Sequence, residues 1–425
     1  MTAIDTWQAG HAGKPLSGPQ IGLSSMGWLR VALVVVFLTA LYRIFPLPIS
    51  DTYRAVFLSA LVFVVSLKTR NTFFVRILPF VSAIALCIFV DLIMGRFGRY
   101  AMIVWTQFAA VLLVGSIVYG LGASAKKRVV FLSLAVLIAL LFVNMLLPQI
   151  ITSAASRLGV VDPFVSHGRS FDRFYYLYFN ANAAAYTAYF MLLSTLAIDR
   201  VSPLQTKHLI AVLLGFVALI FYTGGRASIF LAVGAIVGWL LTFRSNRVAF
   251  VGLFVVAGWS MLAPLYELFR AAIGLRAESN EARFNALLSY FDLIAANPVF
   301  GAGFDYLRER VSLFGLKPSH NFFVELVGAY GFVLGGFLIV WLILELIVRQ
   351  PDNRLKVIGL FGLIPSFFNN TLLTNWGFIP LFLPVMLWSA RQVRRSQADE
   401  RAQRSPPLSA PRSGPNSGQR AISPS

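Results

Sequence analysis

The sequence predicts an all-α membrane protein of about twelve transmembrane helices, with a large loop on the outer side between helices 9 and 10. Three observations predict it. Of the 425 residues, 58% are hydrophobic and 12% are charged, whereas soluble domains carry about 25% charged residues; mean hydropathy is +0.74. The apolar residues fall in blocks of about twenty, the length an α-helix needs to cross about 30 Å of hydrocarbon. The blocks are continuous rather than alternating, which excludes the strands of an outer-membrane barrel.

In chain order, residues 1–26 are polar and rich in Gly, Pro and Ser. They contain no apolar run ending in a small-residue cleavage site, so no removable signal peptide is expected. A polytopic domain over 27–390 follows. Its apolar runs lie at about Trp28–Phe45, Thr52–Leu67, Phe73–Met94, Tyr100–Leu121, Val129–Leu147 and Tyr176–Ile198. Six more lie at about Leu209–Tyr222, Ala227–Leu241, Val248–Leu262, Phe322–Ile347, Val357–Phe368 and Trp376–Trp388. The second, seventh, eighth, eleventh and twelfth are short, open to being tilted, re-entrant or merged with a neighbour. Residues 391–425 read as a disordered, basic cytoplasmic tail.

Cations in short loops set the orientation, because Lys and Arg near span ends are retained in the cytoplasm. Even-numbered loops carry Lys68 and Arg70, Lys126, Lys127 and Arg128, Arg200 and Lys207, Arg244 and Arg247, and Arg349, Arg354 and Lys356. The tail adds Arg391, Arg394 and Arg395. All of these are inside if both termini are cytoplasmic, while Arg96 and Arg99 run against the pattern. The net charge of +19 then reflects topology and anionic membrane lipids rather than nucleic acid. The lone Cys87 allows neither a disulfide framework nor a cysteine metal site and reads as a small packed side chain.

Two outer loops are long, 148–175 and 266–319, and long loops in such proteins are more often functional than connective. They hold more arginine than topology alone places there: Arg157, Arg169 and Arg173 in the first, and Arg270, Arg276, Arg283, Arg308 and Arg310 in the second. Arginine grips phosphate through paired hydrogen bonds with a charge it cannot lose. One reading is a phosphate-bearing ligand at the outer surface. The other is pairing with Asp162, Asp172, Glu278, Glu281, Asp305 and Glu309. Arg226 follows Thr223-Gly224-Gly225 in a turn too tight to leave the interface, where an ionised group is a functional candidate or one that snorkels to the headgroups.

His320, in Pro318-Ser319-His320-Asn321 at the outer mouth of the tenth run, has the ordinary pKa near 6.5 of a general base. Its alternative role is to cap the helix with Ser319 and Asn321. Asn297-Pro298-Val299-Phe300-Gly301-Ala302-Gly303-Phe304 reads as a turn that shapes the loop, since no strand precedes its Gly-x-Gly. Asn180 and Asn182 open the sixth run, and Asn369, Asn370, Thr371, Thr374 and Asn375 cluster between the last two. Such groups bind sugar hydroxyls or join helices. Gly331 and Gly335 have the spacing of close helix packing.

In this order, Asn180-Ala181-Asn182, Thr223-Gly224-Gly225-Arg226, Arg283, Asn297-Pro298 with Gly301-Ala302-Gly303, and Ser319-His320-Asn321 before Gly328 and Gly331 resemble the O-antigen ligase and polymerase superfamily. The likeness runs from about Arg173 to Ile347. It implies a GT-C-like polytopic bundle in the bacterial inner membrane, with a large periplasmic loop between helices 9 and 10 and an active site on the periplasmic side. It implies a glycosyltransferase acting on an undecaprenyl-diphosphate-linked glycan, with Arg226 and Arg283 on the diphosphate and His320 assisting the acceptor hydroxyl. Arg173, Asn182, Arg276 and Asn321 are further candidate contacts. The acceptor is lipid A core for a ligase, or a second lipid-linked repeat for a polymerase. No nucleotide sugar is expected, because the donor is already activated, and no cofactor; no metal is expected either, because the outer loops carry no tight Asp or His cluster with ligand spacing. A transporter or flippase for an anionic lipid-linked substrate is the reading from another class, and it predicts charges near the bilayer midplane.

Overall fold

A computed structural model of the chain describes residues 72–98, isolated positions between 101 and 135, and residues 181–223, 226–242, 277–307, 321–367 and 381–404. Among these residues the regular structure is entirely helical, with no strand. The first, second and ninth apolar runs, residues 1–26 and loop 148–175 lie outside the described residues.

The helices are α1 (Thr72–Ile93), α2 (Ala181–Val201), α3 (Thr206–Tyr222), α4 (Arg226–Leu241), α5 (Ala277–Ala296), α6 (Phe322–Tyr330), α7 (Gly336–Ile343), α8 (Asn353–Leu363) and α9 (Leu383–Arg404). One π-helical turn, Gly331–Gly335, precedes α7 and another, Leu344–Val348, follows it. A 3-10 turn, Ile364–Phe367, continues α8. Two stretches are apolar enough and long enough to cross a membrane among the described residues: Arg76–Ile93 and Phe322–Val348.

A helix that is apolar all round belongs in the centre of a bundle. That is the place of α2, where Ala185, Ala188, Phe190, Leu192, Leu193, Leu196 and Ala197 have no exposed surface. α3, α4, α8 and α9 surround it. Its polar groups are satisfied within the helix or by neighbours, as burial requires. Ser194 and Thr195 donate to the carbonyls of Phe190 and Met191, and the Tyr189 hydroxyl donates to the Phe361 carbonyl at 2.7 Å. α1 and α7 are peripheral, with Leu78, Leu86, Phe89, Phe337 and Val340 exposed.

α1 runs antiparallel to the segment ending in α7: Asp91 meets Tyr330, Phe80 stacks on Trp341 at 4.6 Å, and Arg76 pairs with Glu345 at 3.2 Å. Glu345 is buried and also pairs with Arg349, so two guanidinium groups answer the one carboxylate. At this same end Arg200 pairs with Asp352, Lys127 donates to the Pro203 carbonyl, and Arg394 donates to the Arg349 carbonyl. Cations that the loop pattern assigns to one side of the membrane therefore meet at one end of the bundle. We call it the inner end, and the end holding Arg96 and Asn321 the outer end.

Three elements differ from the sequence expectation. The second long outer loop contains α5, a regular helix. The helix containing the twelfth run continues past Trp388 to Arg404, into the stretch read as tail, because a hydropathy threshold marks where lipid contact stops rather than where the backbone uncoils. The tenth run is broken: Gly331 has φ 68°, and a Cβ on Gly335 would lie 2.5 Å from the Leu326 carbonyl oxygen. α6 therefore folds back against the Gly331–Gly335 turn. The part of this stretch beyond the break is Gly331–Val348, at most about 27 Å at the α-helical 1.5 Å per residue, since its two π-helical turns rise less.

Lys126, expected in a cytoplasmic loop, is helical and buried, with Nζ 4.0 Å from the Trp388 ring centroid and 3.4 Å from the Tyr119 carbonyl. Burial pulls its pKa down to about 7, while the Trp388 face favours the charged form. The folded value lies below the unfolded one, about 10.4. The unfolded chain thus holds more protons between those values, and stability rises with pH across that window. A Lys126→Met variant is expected to melt higher than wild type at pH 7, with the gap closing toward pH 10. Thermal unfolding in detergent at the two pH values checks this.

Candidate functional site

The outer end is organised by a backbone seam between the turn after α5 and the break after α6. The Ala302 and Gly303 amides donate to the Gly328 and Ala329 carbonyls at 2.8 and 2.9 Å, and the Phe332 amide donates to the Pro298 carbonyl at 2.8 Å. A broken helix is tolerated at membrane depth only where other protein groups satisfy the freed backbone, and this seam does so. Gly301 and Gly303 have φ 67° and 83°. A Cβ on Gly301 would lie 2.3 Å from the Ala329 backbone, and one on Gly331 would lie 2.1 Å from the Val299 carbonyl oxygen. Gly301-Ala302-Gly303 thus shapes the loop as expected. Gly331 serves this turn rather than helix packing.

Polar side chains lock the seam to α1. Arg96 Nη1 donates to the Gly301 carbonyl at 2.7 Å, and the Tyr330 hydroxyl donates to Asp91 Oδ2 at 2.9 Å. Asp305 accepts from the amides of Gly98 and Ala101 at 3.1 and 2.9 Å. Sequence reasoning missed Asp91, Arg96 and Tyr330 as a group. The signal was present in Arg96, whose position against the charge pattern is explained by this hydrogen bond.

The candidate residues are placed by α4, α5 and α6. Arg226 heads α4, at a helix N terminus whose free amides and dipole favour an anion. α3 stops just before it, with the buried Thr223 hydroxyl donating to the Ile220 carbonyl at 2.6 Å. α4 and α8 are antiparallel, since Cβ atoms on Gly238 and Gly234 would meet Val357 and Phe361. Continuing that register brings Arg226 toward Ile364–Phe367, a turn that touches both α4 and α6. Phe323 of α6 lies edge-on to Phe367 at 5.0 Å. Asn321 caps α6, accepting from the Val324 amide at 3.1 Å, which is the structural role considered for it.

α5 packs along α6 in the same direction. Tyr290 lies against Gly328, and Pro298 bonds to Phe332. Its buried stripe is Ala286, Tyr290, Leu293 and Ile294. Position 283 falls on this stripe, one turn before Ala286, and is level with Asn321 when the register is followed back from Tyr290. Asn182 lies in the first turn of α2, at the end away from Arg200. His320, Arg173 and Arg276 lie outside the described residues. The structure packs α5, which carries position 283, against α6, which Asn321 caps; α4, which begins at position 226, touches the Ile364–Phe367 turn that α6 also touches, and Asn182 is on a separate helix.

These features define an all-helical protein with two membrane-length apolar stretches among the described residues and a polar cluster of Asp91, Arg96, Asp305 and Tyr330 at one end of its bundle. Residues 210–340 match the family model described as O-antigen ligase. The chain's similarity to the O-antigen ligase and polymerase superfamily is thereby shown over that stretch, which includes Arg226, Arg283, His320 and Asn321. No curated protein and no solved structure gives a match.

Substituting Gly331 by Ala is expected to cost more than about 2 kcal/mol, through the positive φ and the clash with the Val299 carbonyl. Gly336→Ala, where a Cβ meets nothing within 4 Å, should be neutral or stabilise by about 0.5–1 kcal/mol. Parallel thermal unfolding of the two variants checks the contrast.

Proposed function

We propose that the chain is an O-antigen ligase-like glycosyltransferase, moving a polysaccharide from undecaprenyl diphosphate to lipid A core at the periplasmic face of the bacterial inner membrane. The observation that carries this reading is that α5 packs on α6 while α4 and α6 touch one turn, Ile364–Phe367, with all three helices inside the stretch that matches the O-antigen ligase family. Arg226 at a helix N terminus and Arg283 on the α6-facing stripe of α5 suit a diphosphate, which needs fixed positive charge.

In the proposed step the acceptor hydroxyl oxygen attacks the anomeric carbon of the donor sugar. The bond from that carbon to the diphosphate oxygen breaks, its electron pair stays on the leaving diphosphate, and the hydroxyl proton passes to His320. Arg226 and Arg283 stabilise the charge that grows on the diphosphate, without reorganising during the reaction. His320 needs only its ordinary pKa to accept the proton. The anomeric configuration inverts because a single displacement occurs. No metal or cofactor enters the step. Both termini are placed in the cytoplasm, the side to which the cations gathered at the inner end are assigned. A polymerase would run the same step with a second lipid-linked repeat as acceptor.

Reconstitution with lipid-linked glycan and purified core tests the reading. Arg226→Ala and Arg283→Ala should each lower turnover by about 10²- to 10³-fold, the loss typical of one charge-stabilising donor. His320→Ala should lower it by about 10²- to 10⁴-fold. Wild-type rates in all three variants would defeat the assignment. In cells, loss of a ligase leaves core without O-chains, whereas loss of a polymerase leaves core bearing one repeat.

A further inference from the structure

Over residues 285–296 α5 is apolar on two opposite faces. Ala286, Tyr290, Leu293 and Ile294 are buried toward the bundle, while Leu288 and Phe291, on the far side, are each about half exposed. The turn that follows carries Val299 and Phe300, exposed to the same degree. Asp292 and Asn285 are its exposed polar residues among those described there. A helix apolar on both faces is unsuited to standing in water and suited to a protein–lipid boundary. Large exposed aromatics clustered in one patch mark an interaction surface.

The occupant follows from what the patch adjoins. The Phe332 amide bonds to the Pro298 carbonyl, which sets Val299 and Phe300 beside Phe332 and Val333, both exposed at the outer end of the crossing. Gly331–Val348, read as that crossing, is at most about 27 Å long at the α-helical rise, so it needs its whole length to span a hydrocarbon core of about 30 Å. Gly331 therefore sits near the outer edge of the hydrocarbon, and the partners of α5 on either side of it, Gly328 and Phe332, hold α5 at that depth. The patch is continuous with the lipid-facing side of a membrane crossing and lies at its level.

We infer that α5 and the turn behind it lie in the outer leaflet, with Leu288, Phe291, Val299 and Phe300 against acyl chains. The second long outer loop is then a partly embedded segment rather than an aqueous one. The stripe carrying position 283 faces the bundle, and the opposite face is held by lipid. The inference rests on packing and depth, so it stands or falls separately from the proposed chemistry.

Spin labels on single cysteines, in a Cys87→Ala background of the full chain in phospholipid nanodiscs, test it. Labels at Leu288→Cys, Phe291→Cys and Phe300→Cys should give a ratio of oxygen to nickel-chelate accessibility several-fold above that at Glu400→Cys, and near that at Leu86→Cys on α1. A nickel-dominated ratio at 291 and 300 would place the patch in water and overturn the inference. Low access to both reagents would mean that protein covers the patch, which also overturns it. The controls at 86 and 400 report whether the variants are folded and inserted.

Discussion

Three backbone hydrogen bonds between Pro298–Gly303 and Gly328–Phe332 determine where the outer-end elements lie. They occupy amides and carbonyls that a helix broken at Tyr330 would otherwise leave unpaired at membrane depth, where each orphan group costs several kcal/mol. The two chains approach so closely that Gly301 and Gly331 have no room for a Cβ. Both also occupy positive φ, so glycine is required there on two grounds. Arg96, Asp91 and Asp305 then fasten the seam to α1 and to the start of the following span. Because α5 leads directly into this seam and α6 leads out to it, their mutual register is set by the backbone rather than by side-chain packing alone.

That register gives the site its shape. Two helices of unequal length run side by side toward the seam, and their far ends carry position 283 on one and Asn321 on the other. A third helix, α4, touches the same neighbour as α6, the Ile364–Phe367 turn. α4, α8 and α9 all pack on α2, and α8 also packs on α4 and α9. The loop elements at the outer end are held by hydrogen bonds and by contact with α6. The division suits the proposed site, which would admit a lipid-borne chain from the side and hold charge in fixed positions.

Much of this was legible in the sequence. Apolar runs placed α1, α3 and α4 within a few residues of their ends, because those helices are bounded by polar or glycine-rich turns. The glycines at 301 and 303 read as a turn because no strand precedes them. Three things were not legible. Phe322–Ile347 looks like one span, since hydropathy does not register a single positive φ at Gly331. α5 is hidden inside a loop because its two apolar faces blur the amphipathic period that identifies a surface helix. Lys126 reads as a loop cation, and only the fold reveals the Trp388 face that receives it. Arg96 was visible as an exception to the charge pattern, but its partner, a carbonyl more than two hundred residues away, is a property of the tertiary fold.

The central claim is that positions 226, 283 and 320, far apart in the chain, converge on the outer face of one bundle. Pairwise crosslinking of cysteines at these positions, with a short membrane-impermeant bifunctional reagent added to spheroplasts, tests it most directly. The account predicts crosslinks for all three pairs from the periplasmic side. Absence of crosslinks, or reaction only when the reagent is given access to the cytoplasmic face, would contradict it.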